Sequence, residues 1–170
     1  YAELQTQYAS SDTDYKIVGV MIHHKETGER TKIRNPNYEM VRQLRGNNPK
    51  ELYHYLVIRR EKLVSKYLKY YPEDQNKFNE YRQSVYNFTN VLYNNYVVCY
   101  ISKGRPLRDF PYQYRTHMYL LHQLFLNELR KSQQYVSKKV VIKYVNELPP
   151  AKLMFAINYE NRSEILDHTK

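Results

Sequence analysis

Polar and apolar positions divide the chain into a short alternating stretch followed by a long helical one. Residues 1–14 (YAELQTQYASSDTD) are polar and read as a flexible lead-in. YKIVGVMIHH (15–24) has the composition of a strand, and ERTKIR (29–34) reads as a second, shorter one. KETG (25–28) between them has the form of a hairpin turn, with Gly28 supplying a positive φ. Two strands alone are marginal in water, so the hairpin must lean on other structure.

From Asn35 onward the spacing becomes helical. Asn35-Pro36 reads as an N-cap followed by proline in the first turn. That helix runs to Arg45 and ends at Gly46, a natural C-cap. Pro49 opens a second helix, with Leu52, Tyr55, Leu56 and Arg59 at three–four spacing. A third starts near Lys62, carries Leu63, Tyr67, Leu68 and Tyr71, and stops at Pro72. The longest predicted helix spans 73–103. Phe78, Tyr81, Val85, Phe88, Leu92, Tyr96 and Cys99 form its apolar stripe, and Asn, Gln and Arg fill the other face. Residues 104–113 form a loop broken by Pro106 and Pro111. The next helix, 112–133, turns Met118, Leu121, Leu124, Phe125 and Leu129 inward. Segment 136–148 reads as a helix, although its valines also suit a strand. Residues 149–160 close the fold and 161–170 form a tail. The expected fold class is mainly α: a domain of about six or seven helices over 35–160, preceded by a β-hairpin at 15–34.

Composition adds a partner class. The 170 residues, 42% of them hydrophobic, suffice for one packed domain. No apolar run approaches the roughly 20 residues that span a bilayer. The first residues lack the basic start and apolar centre of a signal peptide, and they lack an initiator Met, as an excised or processed stretch would. The formal charge is +10, with 27 Lys and Arg against 17 Asp and Glu, which favours a polyanionic partner, RNA or DNA first. A surface charged for solubility is the alternative. The single cysteine, Cys99, can form neither an internal disulfide nor a zinc knuckle, and it suggests a reducing intracellular compartment. Its apolar neighbours make it a core residue. Tyrosine is over-represented, with 20 Tyr against 5 Phe and no Trp. Tyrosines can stack on unpaired bases, but most of these fall at helical core spacing and read as packing.

Catalytic motifs are few. No HExxH, GxSxG or phosphate-binding Gly-rich loop occurs. His23 and His24 are adjacent on a strand and point to opposite faces, so one metal cannot readily take both. His117 and His122 are five apart rather than four, and read as polar or core-edge residues. The acids are scattered. No catalytic residue and no metal site is therefore assigned.

Two basic features remain. Lys32 and Arg34 share one face of the second strand while Ile33 points the other way. Paired cations backed by an apolar face suit phosphate oxygens. A solvated basic edge that resists aggregation fits the same residues equally well. The second feature is a candidate RNA-binding cluster at 59–70: Arg59, Arg60, Lys62, Lys66, Lys69 and Tyr70, with Tyr67 interleaved. A solvated helix face is again the alternative for each lysine. Lys138 and Lys139 are expected to lie elsewhere on the surface.

The stretch 16–46, KIVGVMIHHKETGERTKIRNPNYEMVRQLRG, resembles the end of the nucleotidyltransferase domain of ATP-dependent RNA ligases. In that superfamily a strand reading Glu-Gly-x-Val is followed, after a variable hairpin, by a strand with Lys-x-Lys. Val18-Gly19-Val20-Met21-Ile22 stands at the first place and Lys32-Ile33-Arg34 at the second, with the aromatic Tyr38 following. The run from Arg30 through Gly46 and the helical body after it resemble RNA ligase-like proteins of large DNA viruses.

The resemblance implies the C-terminal part of such a protein. Lys32 and Arg34 would bind nucleotide phosphate, and the helical body would hold and position the RNA. ATP and Mg²⁺ would serve the full-length reaction. The partners would be RNA and the remainder of the nucleotidyltransferase domain, in the cytoplasm of an infected cell or in a viral particle. Three departures stand beside it. Val18 occupies the place of the family's glutamate, and Arg34 that of its second lysine. The nucleophilic Lys-x-Asp/Asn-Gly motif lies far upstream in the family, and too few residues precede Val18 to hold it. Lys25-Glu26-Thr27-Gly28 imitates that motif but lacks the Asp or Asn and follows the strand it should precede. Two alternatives are a non-catalytic RNA-binding module and a viral structural protein whose basic face meets an acidic protein.

Overall fold

The structure is a computed structural model that describes residues 1–159; the tail expected at 161–170 lies outside them. The chain is mainly helical, with one short antiparallel hairpin near its start.

The lead-in is not irregular. Ala2–Tyr8 form α1, and Ala9 and Thr13 behind it are buried. Two asparagines far along the chain hold this segment. Asn35 Nδ2 donates to the carbonyls of Asp14 and Ile17, both at 2.8 Å. Asn37 Nδ2 donates to those of Ser11 and Thr13, again at 2.8 Å. Local composition could not show this, because the donors lie more than a dozen residues away.

Strands β1 (Gly19–His23) and β2 (Arg30–Arg34) pair with Gly19 opposite Arg34, Val20 opposite Ile33 and Met21 opposite Lys32. Gly28 closes the turn with φ +72°, as its position predicted. Gly19 has a stronger requirement. Its φ is +130°, and a Cβ there would sit 2.1 Å from the Ile33 carbonyl oxygen.

Asn35 then caps α2 (Pro36–Arg45), its Oδ1 accepting from Asn37 N at 3.0 Å. Six further helices follow: α3 (Glu51–Arg60), α4 (Val64–Tyr70), α5 (Gln75–Tyr96), α6 (Tyr112–Leu124), α7 (Lys138–Glu147) and α8 (Pro150–Ile157). The helix expected at 73–103 starts after a 3₁₀ turn at Pro72–Asp74 and loosens into a π turn at Val97–Ile101. α6 ends in a similar π turn, Phe125–Leu129. Ser137 settles the valine-rich segment as a helix. Its Oγ accepts from Val140 N at 3.4 Å, and Val141 and Val145 are buried one turn apart.

The α5 stripe is the centre of the core. Leu92 of α5 and Met118 and Leu121 of α6 are 0% exposed, and Phe78, Val85, Phe88 and Tyr96 are buried beside them. Tyr81 and Cys99, at the margins of the stripe, are partly buried. α6 and α7 pack along α5, and α3 packs on α8. The hairpin joins this body through α2 and α4. The Tyr71 hydroxyl donates to the Val41 carbonyl at 3.0 Å, and Tyr15 meets Tyr70 edge-on at 5.1 Å.

Candidate nucleic-acid interface

Alternation along β2 sends Ile33 into the protein and leaves Arg30, Lys32 and Arg34 in a row on the outer face. Arg30 has the same parity as the two predicted residues, so the sequence already contained it. Lys32 and Arg34 border a shallow cavity of about 280 Å³ whose lining includes Val18, Met21, Glu39 and Arg42; Arg30 lies outside that lining. Tyr38 of α2 also lines that cavity.

Glu39 modifies the site. Arg34 Nη1 lies 2.8 Å from Glu39 Oε1, and Arg42 approaches the same oxygen at 3.7 Å. Glu39 is in the first turn of α2, where a carboxylate also complements the helix dipole. Arg34 therefore shares its charge with an internal acid, while Lys32 and Arg30 have no carboxylate partner among the described residues. The strand-to-helix turn that brings Glu39 back onto β2 is what the linear spacing hid.

The 59–70 cluster is spread over two neighbourhoods. Arg59, at the end of α3, donates from Nη2 to Asn146 Oδ1 of α7. It lines a groove with Arg82, Tyr86 and Lys138, so Lys138 belongs to the Arg59 neighbourhood and not to a remote surface. Arg60, Lys62, Lys66 and Lys69 are exposed. Lys69 Nζ lies 5.9 Å from the Tyr70 ring centroid, and the edge contact with Tyr15 leaves that ring only partly open. Tyr67 is core. It stacks on Phe78 at 5.0 Å and donates its hydroxyl to Asp74 Oδ2 at 2.5 Å. Burial, then that hydrogen bond, pushes its phenol pKa up.

A second polar cavity, of about 300 Å³, was not legible in the sequence; its lining includes Arg45, Glu51, His54, Tyr67, Asp74 and Lys77. Its carboxylates already have partners. Lys77 Nζ lies 2.7 Å from Glu51, whose second oxygen accepts from Tyr81 at 3.2 Å, and Asp74 accepts from Tyr67. His54 Nε2 is buried without a partner, and burial lowers the pKa of its ring, which favours the neutral form. The remaining histidines on helices are packed. His117 Nδ1 is 2.8 Å from the Tyr144 hydroxyl, and His122 stacks on Tyr100 at 4.0 Å.

Val18, at the place of the family's acid, is 56% exposed and offers no ligand. Among the described residues no three His, Cys, Asp or Glu side chains converge. These residues do not supply a metal-ligand set. Lys25 lies in the exposed hairpin turn. Incubation with labelled ATP and Mg²⁺ is expected to leave no label on the protein; a labelled band that Lys25→Ala abolishes would show that Lys25 is a nucleophile.

Among the described residues no helix is long and apolar enough to cross a membrane. Comparison with protein-family models, with curated proteins and with solved structures finds no match to this chain.

Proposed function

We propose that this chain is an RNA-binding helical module of an RNA ligase-like protein. It holds the RNA backbone and helps position an end for ATP-dependent joining, and it does not perform the chemistry alone. The observation that carries the reading is the outward row Arg30, Lys32 and Arg34, backed by buried Ile33 and continued by Arg42 across the cavity. Lys32, Arg34 and Arg42 at the cavity, with Arg30 farther along the strand, suit successive phosphates, Glu39 offsetting part of the charge of Arg34 and Arg42. The wider surface supports it. Among the described residues, ion pairs with carboxylates involve only Arg34, Arg42, Lys77, Arg108 and Lys143 of the basic residues. Val18 in place of an acid favours a module without chemistry of its own.

The test is titration of a labelled single-stranded RNA at several salt concentrations. Affinity is expected to fall steeply with salt as phosphate contacts release counterions. Reversing Arg30 and Lys32 to Glu together should weaken binding about tenfold or more. It should also flatten the plot of log affinity against log salt by roughly 0.7 per lost contact. Reversing Arg130 and Lys131, exposed in the turn after α6, serves as the control. Equal losses in the two variants would reduce the +10 charge to a general solubility device. Binding to polyglutamate but not to RNA would point instead to an acidic protein partner.

A further inference from the structure

α3, α5 and α7 meet around a groove of about 210 Å³ on a different part of the surface from the hairpin. Arg82, Tyr86 and Asn90 succeed one another at four-residue intervals, so they form one stripe on α5 facing the groove. Arg59 enters from the last turn of α3, held by Asn146, and Lys138 from the first turn of α7. No Asp or Glu lines the groove. Its three cations therefore face open space without a carboxylate among them.

Tyr86 departs from the pattern set by the other α5 aromatics. Phe78, Phe88 and Tyr96 are buried and Tyr81 and Tyr93 partly so, whereas Tyr86 is 55% exposed. The Lys138 ammonium lies 5.6 Å from its ring centroid, which keeps the ring among the cations. Beside it, the Asn90 side-chain oxygen is shielded from water and has no donor. An unpaired acceptor in that position is costly.

We propose that this groove is a subsite for one unpaired nucleotide of single-stranded RNA. Arg59, Arg82 and Lys138 hold its phosphate and the Tyr86 ring stacks on its base. The two features match two parts of a nucleotide: an anion and a flat π-face. Stacking needs a base free of its duplex partner, so the groove selects unpaired over paired RNA. The inference rests on the RNA-binding reading and adds a second contact point to it.

The experiment compares the wild-type chain with Arg82→Glu, Tyr86→Ala and Tyr86→Phe on a short labelled single-stranded RNA, across salt. Both residues are exposed, and circular dichroism serves to check that each variant is folded. Arg82→Glu should weaken binding about tenfold and reduce the salt slope by roughly 0.7. Tyr86→Ala should weaken it by about 5-fold or more with the slope unchanged, and Tyr86→Phe should bind as wild type, as stacking requires. Illumination of a 5-iodouridine-substituted RNA should crosslink it to Tyr86. If these variants bind as wild type and crosslinks fall only on the hairpin, while the Arg30/Lys32 reversal still weakens binding, the subsite is wrong and the RNA-binding reading stands. If the wild type binds no RNA even at low salt, both are wrong.

Discussion

Phe88→Ala is expected to cost about 3–5 kcal/mol of folding stability. The ring is 4% exposed at the middle of α5. It stacks on Tyr114 at 5.3 Å and meets the edge of His117 at 5.7 Å. His117 in turn reaches the Tyr144 hydroxyl at 2.8 Å, so this one ring helps hold α5, α6 and α7 together. Removing it leaves a cavity among rigid aromatic neighbours, and flat rings collapse poorly into a void. The melting temperature should fall by roughly 6–20 °C, the range expected for such a loss in a domain of this size. Denaturant unfolding should show the same loss. A change below about 1 kcal/mol would show that the α5 stripe is not the organising core.

The second large effect is expected at Asn35, where the consequence is local. The side chain is fully buried and makes three hydrogen bonds: it accepts from Asn37 N and donates to the Asp14 and Ile17 carbonyls. Asn35→Asp keeps the shape and the capping acceptor but cannot donate when ionised. Two carbonyls lose their donor and face a carboxylate. The cost should be about 2–4 kcal/mol, since each unsatisfied buried group costs about 1–3 kcal/mol. The hairpin packs through α2 and α4 rather than in the main core, so the loss should appear as local opening. Hydrogen exchange at the amides of Val20 and Ile33 should accelerate by about 30-fold or more, with little change at Leu92 or Met118. Uniform acceleration throughout the protein would show that the hairpin is not a separate cooperative unit. Unchanged exchange in the strands would show that the two carbonyl bonds do not hold it.

The two experiments bear differently on function. Phe88 tests the body that carries the groove of Arg59, Arg82 and Lys138. Asn35 tests the mount of the Arg30–Arg34 row. A loss of RNA binding in Asn35→Asp without global unfolding would tie binding to the geometry of the hairpin and not to net charge, which that substitution lowers by only one.

Much of the fold was legible in the chain because it is encoded at short range. Gly28 marks the turn, Asn35-Pro36 the start of α2 and Gly46 its end, and the spacing from Phe78 to Tyr96 the buried face of α5. Each depends on neighbours within about one turn, where backbone sterics and side-chain period act directly. The outward face of Lys32 and Arg34 follows from the same alternation. Tertiary structure alone decided the rest. It tied the polar lead-in to Asn35 and Asn37, drew Arg34 onto Glu39 and pressed Tyr70 against Tyr15. It also brought Lys138 beside Arg59. Period and propensity tell which side of an element faces inward. They do not tell which other element it meets, because that depends on how all the buried faces pack at once.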